Sequence, residues 1–230
     1  MFLPIKDDNP NSQTPIITWA LIIICVLTFI WQSQLTQTES QITILSYGII
    51  PAHLFGVGNF SEINPMITPV PAWMTIFTSM FLHGGFSHIM GNMWFLWVFG
   101  DNVEGVLGHA KYALFYILCG LAATISQLLI NPESSIPMVG ASGAIAGVLG
   151  MYMIRFPNAN VHVFAFIIIF FTTFRIPALF VLGFWFFNQL TSGLSSLGFD
   201  TTGGVAWFAH IGGFVAGVML NQAFKHIRFE

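Results

Sequence analysis

The sequence predicts an all-α membrane protein, a six-transmembrane-helix bundle with a long interfacial first loop and both termini cytoplasmic. Three observations carry this prediction. The first is composition: 55% of the 230 residues are hydrophobic and 7% are charged, with a mean hydropathy of +0.78, whereas a soluble domain carries about 25% charged residues. The second is that apolar runs near the roughly 20 residues needed to cross hydrocarbon recur along the chain. The third is the placement of the six Lys and Arg residues, Lys6, Lys111, Arg155, Arg175, Lys225 and Arg228. With six spans and the N-terminus inside, all of them fall on one side. The loops that would then lie outside, 33–72, 131–139 and 191–203, contain no Lys or Arg. This is the positive-inside pattern.

The first span is expected at 15–32 (PIITWALIIICVLTFIWQ). The preceding segment, Met1 to Pro15, is polar and Pro-rich, and no small-residue cleavage site follows the apolar run, so the run reads as a retained helix rather than a signal peptide. Residues 33–71 mix Gln, Thr and Pro with isolated apolar residues. They are too mixed to span and are expected as a loop with short interfacial helices. Spans follow at 86–103, 112–130 and 141–155. The last of these is short and rich in Gly and Ala, which suits a helix enclosed by others. Val161 to Phe174 is apolar and reads as an interfacial segment or a cytoplasmic-side hairpin. The fifth span is expected at 176–190 and the sixth at 204–223. No internal repeat or second domain is visible, so residues 1–230 read as one membrane domain.

The formal net charge of −3 is spread along the chain, without the basic patch that nucleic acid requires. Cys25 and Cys119 both sit in apolar runs and read as small buried hydrophobes rather than a disulfide or metal site. No metal or cofactor is expected.

The residues with chemical potential cluster at the outer ends of the predicted spans. Ser142 lies in GASGAIAG, flanked by Gly140 and Gly143, which allow the backbone to bend and another group to approach. Alone, a serine opening a helix is an N-cap. His210 lies in AHIGGFVAG, roughly 9 Å below the outer end of a span that begins at Gly204. A histidine inside a membrane helix is a functional candidate, although a single hydrogen bond to a neighbouring carbonyl would also explain it. Small residues recur beside both: Gly143, Ala146, Gly147 and Gly150 in span four, and Ala209, Gly213 and Gly217 in span six. Such faces let two helices approach closely. Packed in parallel, they bring Ser142 and His210 to similar depth, where the imidazole can take the hydroxyl proton. An attacking serine creates an oxyanion that needs donors. HGGFSHIMGN in span two supplies His83, His88 and Asn92, the last two four residues apart on one helix face. Interhelical hydrogen bonds are the plainer reading of each.

Together these elements resemble the rhomboid family of intramembrane serine proteases. The resemblance rests on GASG around Ser142, AHIGGFVAG around His210, HGGFSHIMGN, GDNVE at 100–104, and PAWMTIFTSMFLHGG at 71–85. It covers roughly residues 15 to 225. It implies Ser142 as nucleophile and His210 as general base of a dyad open to the extracytoplasmic side. It also implies Asn92, His88 and the Ser142 N–H as oxyanion-binding groups, His83 as a supporting or water-holding group, and Glu104 as a structural anchor. The substrates implied are transmembrane proteins entering laterally from the lipid bilayer, with weak helix formers near the cut because an intact helix hides its carbonyls. The membrane implied is a bacterial cytoplasmic one.

Two positions depart from the family pattern. Met74 follows Trp73 where many relatives carry arginine, and Ala146 stands where some carry a tyrosine that stacks on the histidine. None of the nine acidic residues falls in a predicted span beside His210, so a dyad and slow turnover are expected. The loop SGLSSLGFDTTGG, with Leu197 and Phe199, is a candidate cap, and LGFWFFNQL a candidate lateral gate. Two rival functions remain in view. A catalytically silent rhomboid-like protein would be expected to lack Ser142 or His210. A small transporter or channel would need polar groups across the whole membrane rather than in its outer half.

Overall fold

The structure is a computed structural model that describes residues 2–10, 13–57, 69–167, 170–197 and 204–226. A strand, β1 (Phe2–Asp7), precedes helix α1 (Ile16–Ser33). The first loop folds into α2 (Gln37–Tyr47), α3 (Pro51–Phe55) and α4 (Thr75–Thr78), the last flanked by 3-10 turns at Ala72–Met74 and Ser79–Phe81. Then come α5 (Phe86–Leu107), α6 (His109–Ile130), α7 (Ser142–Arg155), the strands β2 (Asn160–Ile167) and β3 (Phe170–Pro177), α8 (Ala178–Ser196) and α9 (Trp207–His226). By length and apolarity, α1 and α6 each qualify to cross a membrane.

Helix α7 is the axis of the bundle. Every residue from Gly143 to Tyr152 is buried, as its Gly- and Ala-rich composition requires. It lies parallel to α9 at backbone contact. A Cβ on Gly213 would stand 2.0 Å from the Gly143 carbonyl oxygen, and one on Gly217 would stand 2.0 Å from that of Gly147. Helix α6 closes the other side, with Ala123 against Gly143 and Cys119 against Gly147. The small faces read from the sequence therefore meet, and α6 adds a third small face.

Glu104 anchors α1 from α5. Its Oε1 accepts from the Ile17 N–H (2.8 Å) and its Oε2 from the Thr18 N–H and hydroxyl (2.8 and 2.7 Å). The Pro15 N-cap offers no side-chain bond of its own, so a carboxylate from another helix satisfies the free N–H groups at the positive end of α1. His109 Nδ1 lies 2.6 Å from the same carboxylate.

The fold is not all-α. β1, β2 and β3 form an antiparallel sheet in that order. Within the segment 161–174, β2 and β3 pair as an antiparallel hairpin in which Val161, Val163 and Ala165 share one face and are buried. The polar, Pro-rich segment before α1 contributes the edge strand β1 to this sheet. Pro4 sits beside a register shift on this edge strand, where a missing N–H is tolerated. Trp94 Nε1–H donates to the Pro4 carbonyl (2.5 Å), Asn102 Nδ2–H to that of Asn9 (3.3 Å), and the Tyr152 hydroxyl to the Asp7 carboxylate. His162 Nε2 meets Asp8 Oδ1 at 2.6 Å. Through β1 on α5 and the hairpin on α8, the sheet bridges those two helices.

Several predicted boundaries also move. β3 runs through Pro177, so the fifth helix begins at Ala178 rather than 176 and continues to Ser196. The sixth helix begins at Trp207 rather than 204. The second extends from 103 to Leu107 and the third begins at His109 rather than 112, with only Gly108 (φ +75°) between them. Phe199 of the candidate cap, Arg228 and residues 58–68 of the first loop lie outside the described residues.

Candidate active site

Ser142 is the first residue of α7, and its side chain does not cap that helix. Its Oγ instead lies 2.8 Å from His210 Nε2. His210 is the fourth residue of α9, so it sits in the first turn, nearer the helix end than a span starting at 204 would place it. The glycine seam between α7 and α9 sets this distance, because Gly143 follows Ser142 and Gly213 lies one turn beyond His210.

Two glutamines that the sequence reading passed over complete the setting of the histidine. Gln189 of α8 is buried, and its Oε1 lies 2.7 Å from His210 Nδ1. Gln127 of α6 accepts through Oε1 from the N–H groups of Phe208 and Ala209 (3.1 and 3.2 Å). It thus caps the first turn of α9 from another helix. The available signal was an uncharged polar residue in each of two apolar runs, since a buried amide must find partners. Aromatic rings flank the imidazole: Trp185 at 6.0 Å between centroids and tilted 36°, and Trp207 at 6.2 Å and edge-on. They confine a ring that Ala146 is too small to stack against.

His88 and Asn92 approach from α5. Gly140 (φ +125°) admits them: a Cβ there would stand 2.7 Å from His88 Nε2 and 3.7 Å from Asn92 Nδ2. Its N–H donates to the Ser79 carbonyl (2.8 Å), fixing the turn into α7. Asn92 Nδ2 is buried and has no partner among the described residues. Gly84 N–H donates to His88 Nδ1 at 3.4 Å. His83 lies behind His88, edge-on with centroids 5.2 Å apart, and neither of its ring nitrogens has a partner among the described residues. Its backbone N–H and carbonyl are both bonded by the Gln32 side chain of α1.

Ser142, His210, His88, Asn92, Gln189 and Trp185 line one cavity of about 1290 Å³ bounded by α5, α8, the start of α9 and the 131–139 loop. Among the described residues, no group of three or more His, Cys, Asp and Glu side chains is placed to hold a metal. The arrangement offers a hydroxyl hydrogen-bonded to an imidazole, with N–H donors a short distance away. Those are the parts needed for nucleophilic attack on a carbonyl.

Comparison with known proteins identifies the family of the chain. The rhomboid domain profile matches residues 71–226. The chain is 32% identical over 111 residues to Rhomboid-like protein 11, chloroplastic, of Arabidopsis thaliana, covering 48% of this chain and 39% of that protein. It is 36% identical over 78 residues to Rhomboid protease GluP of Bacillus subtilis (strain 168), covering 34% and 15%. It is 33% identical over 101 residues to Rhomboid protein 1, mitochondrial, of Saccharomyces cerevisiae, covering 42% and 29%. The chain thus spans less than half the length of these relatives. Their names cite chloroplast, mitochondrion and a bacterium, so they do not select one membrane.

Proposed function

Because the chain belongs to the rhomboid family of integral membrane proteins, we propose that it is an intramembrane serine endopeptidase that cuts transmembrane segments of other proteins. The observation that carries this reading is the 2.8 Å approach of His210 Nε2 to Ser142 Oγ in a cavity that His88 and Asn92 also line. Ser142 attacks the scissile carbonyl, and His210 takes the hydroxyl proton and then delivers it to the leaving amine. Asn92 Nδ2–H, a His88 ring N–H and the Ser142 backbone N–H receive the oxyanion. The lack of a partner for Asn92 Nδ2 among the described residues supports that role, and one such donor contributes about 10²–10³ in rate. Water then hydrolyses the acyl-enzyme, with His210 again as base. His83, Gly140 and Gly143 support this frame.

We take the chain as one six-span domain, α1 and α5 to α9 being the spans, with both termini cytoplasmic. In support, Lys111 near the start of α6, Arg155 at the end of α7 and Arg175 in β3 lie at the end of the bundle remote from Ser142, as the charge pattern requires. The substrate segment enters from the lipid between α5 and α8, near the extracytoplasmic face, and unwinds there to expose its carbonyl. The bacterial cytoplasmic membrane is carried forward as part of this proposal.

Labelling with a fluorophosphonate probe tests the assignment. The folded wild type should label, and Ser142→Ala and His210→Ala should not. Labelling that survives in Ser142→Ala would place the nucleophile elsewhere. A folded wild type that neither labels nor cleaves a reconstituted transmembrane substrate would favour the silent-relative reading.

A further inference from the structure

We propose that Gln189 is the positioning residue of the site: it accepts a hydrogen bond from His210 Nδ1–H and so holds the imidazole in the tautomer whose Nε2 lone pair faces Ser142. This rests on the catalytic reading of Ser142 and His210 but makes a separate statement about the state of the imidazole.

The orientation of the Gln189 amide decides the tautomer. Its Nε2–H donates to the Trp185 carbonyl one turn earlier on α8, at 3.3 Å, and its Oε1 lies 2.7 Å from His210 Nδ1. Flipping the amide would set Oε1 against the Trp185 carbonyl oxygen, two acceptors face to face, so the local bond selects one orientation. An amide oxygen only accepts. Nδ1 must therefore carry the hydrogen, and in a neutral imidazole Nε2 is then bare. That bare nitrogen is the one 2.8 Å from Ser142 Oγ. The opposite tautomer would point an N–H at the serine and could not take its proton. Trp185 and Trp207 restrict the ring plane, while Gln189 sets which nitrogen is protonated. No carboxylate is needed for that task, although a neutral amide stabilises the imidazolium less than an acid does.

A residue that merely ties α8 to α9 would affect folding or substrate entry, not the tautomer. The test uses full-length protein reconstituted in lipid, with Gln189→Met (similar length, no acceptor) and Gln189→Glu (acceptor kept). Cleavage of a transmembrane substrate gives kcat and KM separately. 15N NMR of histidine-labelled protein, with His210→Ala to assign the signal, reports the tautomer directly.

We expect the wild type and Gln189→Glu to carry the hydrogen on Nδ1 and Gln189→Met to populate both tautomers. Gln189→Met should lose about 10- to 100-fold in kcat with KM unchanged, a large part of the 10²–10⁴ that a general base contributes, and Gln189→Glu should recover most of it. Three results would overturn the proposal: an Nε2–H tautomer in the wild type, a wild-type kcat in Gln189→Met, or a change confined to KM. The NMR measurement on the wild type does not depend on activity. An Nδ1–H tautomer in a protein that fails to label at Ser142 would therefore support the Gln189 bond while overturning the protease reading.

Discussion

Gly213→Ala links the helix seam to the chemistry. The added Cβ would stand 2.0 Å from the Gly143 carbonyl oxygen, against the 3.4 Å at which ordinary contact begins. Ala123 of α6 lies 3.4 Å from the same point, so the methyl has no free space to turn into. α7 and α9 must therefore separate by about 1.4 Å, the difference between those distances. Gly143 adjoins Ser142 and Gly213 lies one turn from His210, so much of the shift reaches the 2.8 Å Ser142–His210 contact and carries it past hydrogen-bonding range. A misplacement of about 1 Å costs roughly 100-fold in rate. Overpacking of this kind costs about 1–3 kcal/mol, or about 2–12 °C in Tm for a chain of this size. The assays are cleavage of a transmembrane substrate in proteoliposomes and thermal unfolding followed by tryptophan fluorescence. Gly183→Ala in α8 is the control: nothing lies within 4 Å of its Cβ position, so removing a helix glycine should stabilise by about 0.4–1 kcal/mol. Wild-type turnover and Tm in Gly213→Ala would refute the claim that backbone contact sets the catalytic distance.

Two further predictions concern the end of the bundle remote from the cavity. Glu104→Ala strands the Ile17 and Thr18 N–H groups and the Thr18 hydroxyl and should cost about 3–5 kcal/mol. That corresponds to roughly 6–20 °C in Tm, with Glu104→Gln intermediate, and an unchanged Tm would exclude the anchoring role. Burial raises the Asp7 carboxyl above its ordinary value, against the Tyr152 hydroxyl bond, which lowers it. The folded state then holds a proton that the unfolded state has lost, so stability falls as pH rises from about 4 through the raised value. Asp7→Asn should remove that fall in a plot of Tm against pH, and an identical slope in both proteins would count against it. Asp8 is lowered by its bond with His162, so its contribution is present at neutral pH and is lost only as pH falls below about 4.

The helical part of this fold is legible in the sequence because each helix writes its own local signal. The segments expected as spans one and four, 15–32 and 141–155, are helices at Ile16–Ser33 and Ser142–Arg155. Ser142 and His210 stand out because small residues on both helices imply close approach, and a polar group on such a face must meet another. The sheet is legible only in part: a hairpin is one of two readings of 161–174, and β2 and β3 pair there, but β1 is hidden. β1 pairs with a strand more than 150 residues away in the chain, and nothing local in FLPIKD announces its partner. Gln127 and Gln189 are hidden for a related reason. Their meaning lies in which backbone or ring they reach, and only packing across α6, α8 and α9 decides that. Ala146 gave a negative signal, a missing stacking partner, but could not say that Trp185 and Trp207 confine the imidazole instead.

The choice of an amide beside His210 follows from what a buried carboxylate demands. Glu104 shows those demands within the same protein. It is fully buried, yet it accepts from two backbone N–H groups and a hydroxyl, sits at the positive end of a helix, and adjoins an imidazole. That setting offsets the several kcal/mol needed to remove a carboxylate from water. The Gln189 side chain has a different neighbourhood, with one ring nitrogen on one side and a backbone carbonyl oxygen on the other. A carboxylate there would gain a single donor and oppose an acceptor. The amide satisfies both, its oxygen taking the imidazole N–H and its NH₂ bonding the carbonyl. Gln189→Glu should therefore keep most of the turnover while unfolding at a lower temperature, because the acceptor survives and the surrounding donors do not suffice for a charge. In an apolar bundle the third partner of the histidine is set by the cost of burial, and a neutral group that fixes the tautomer meets that constraint where an acid does not.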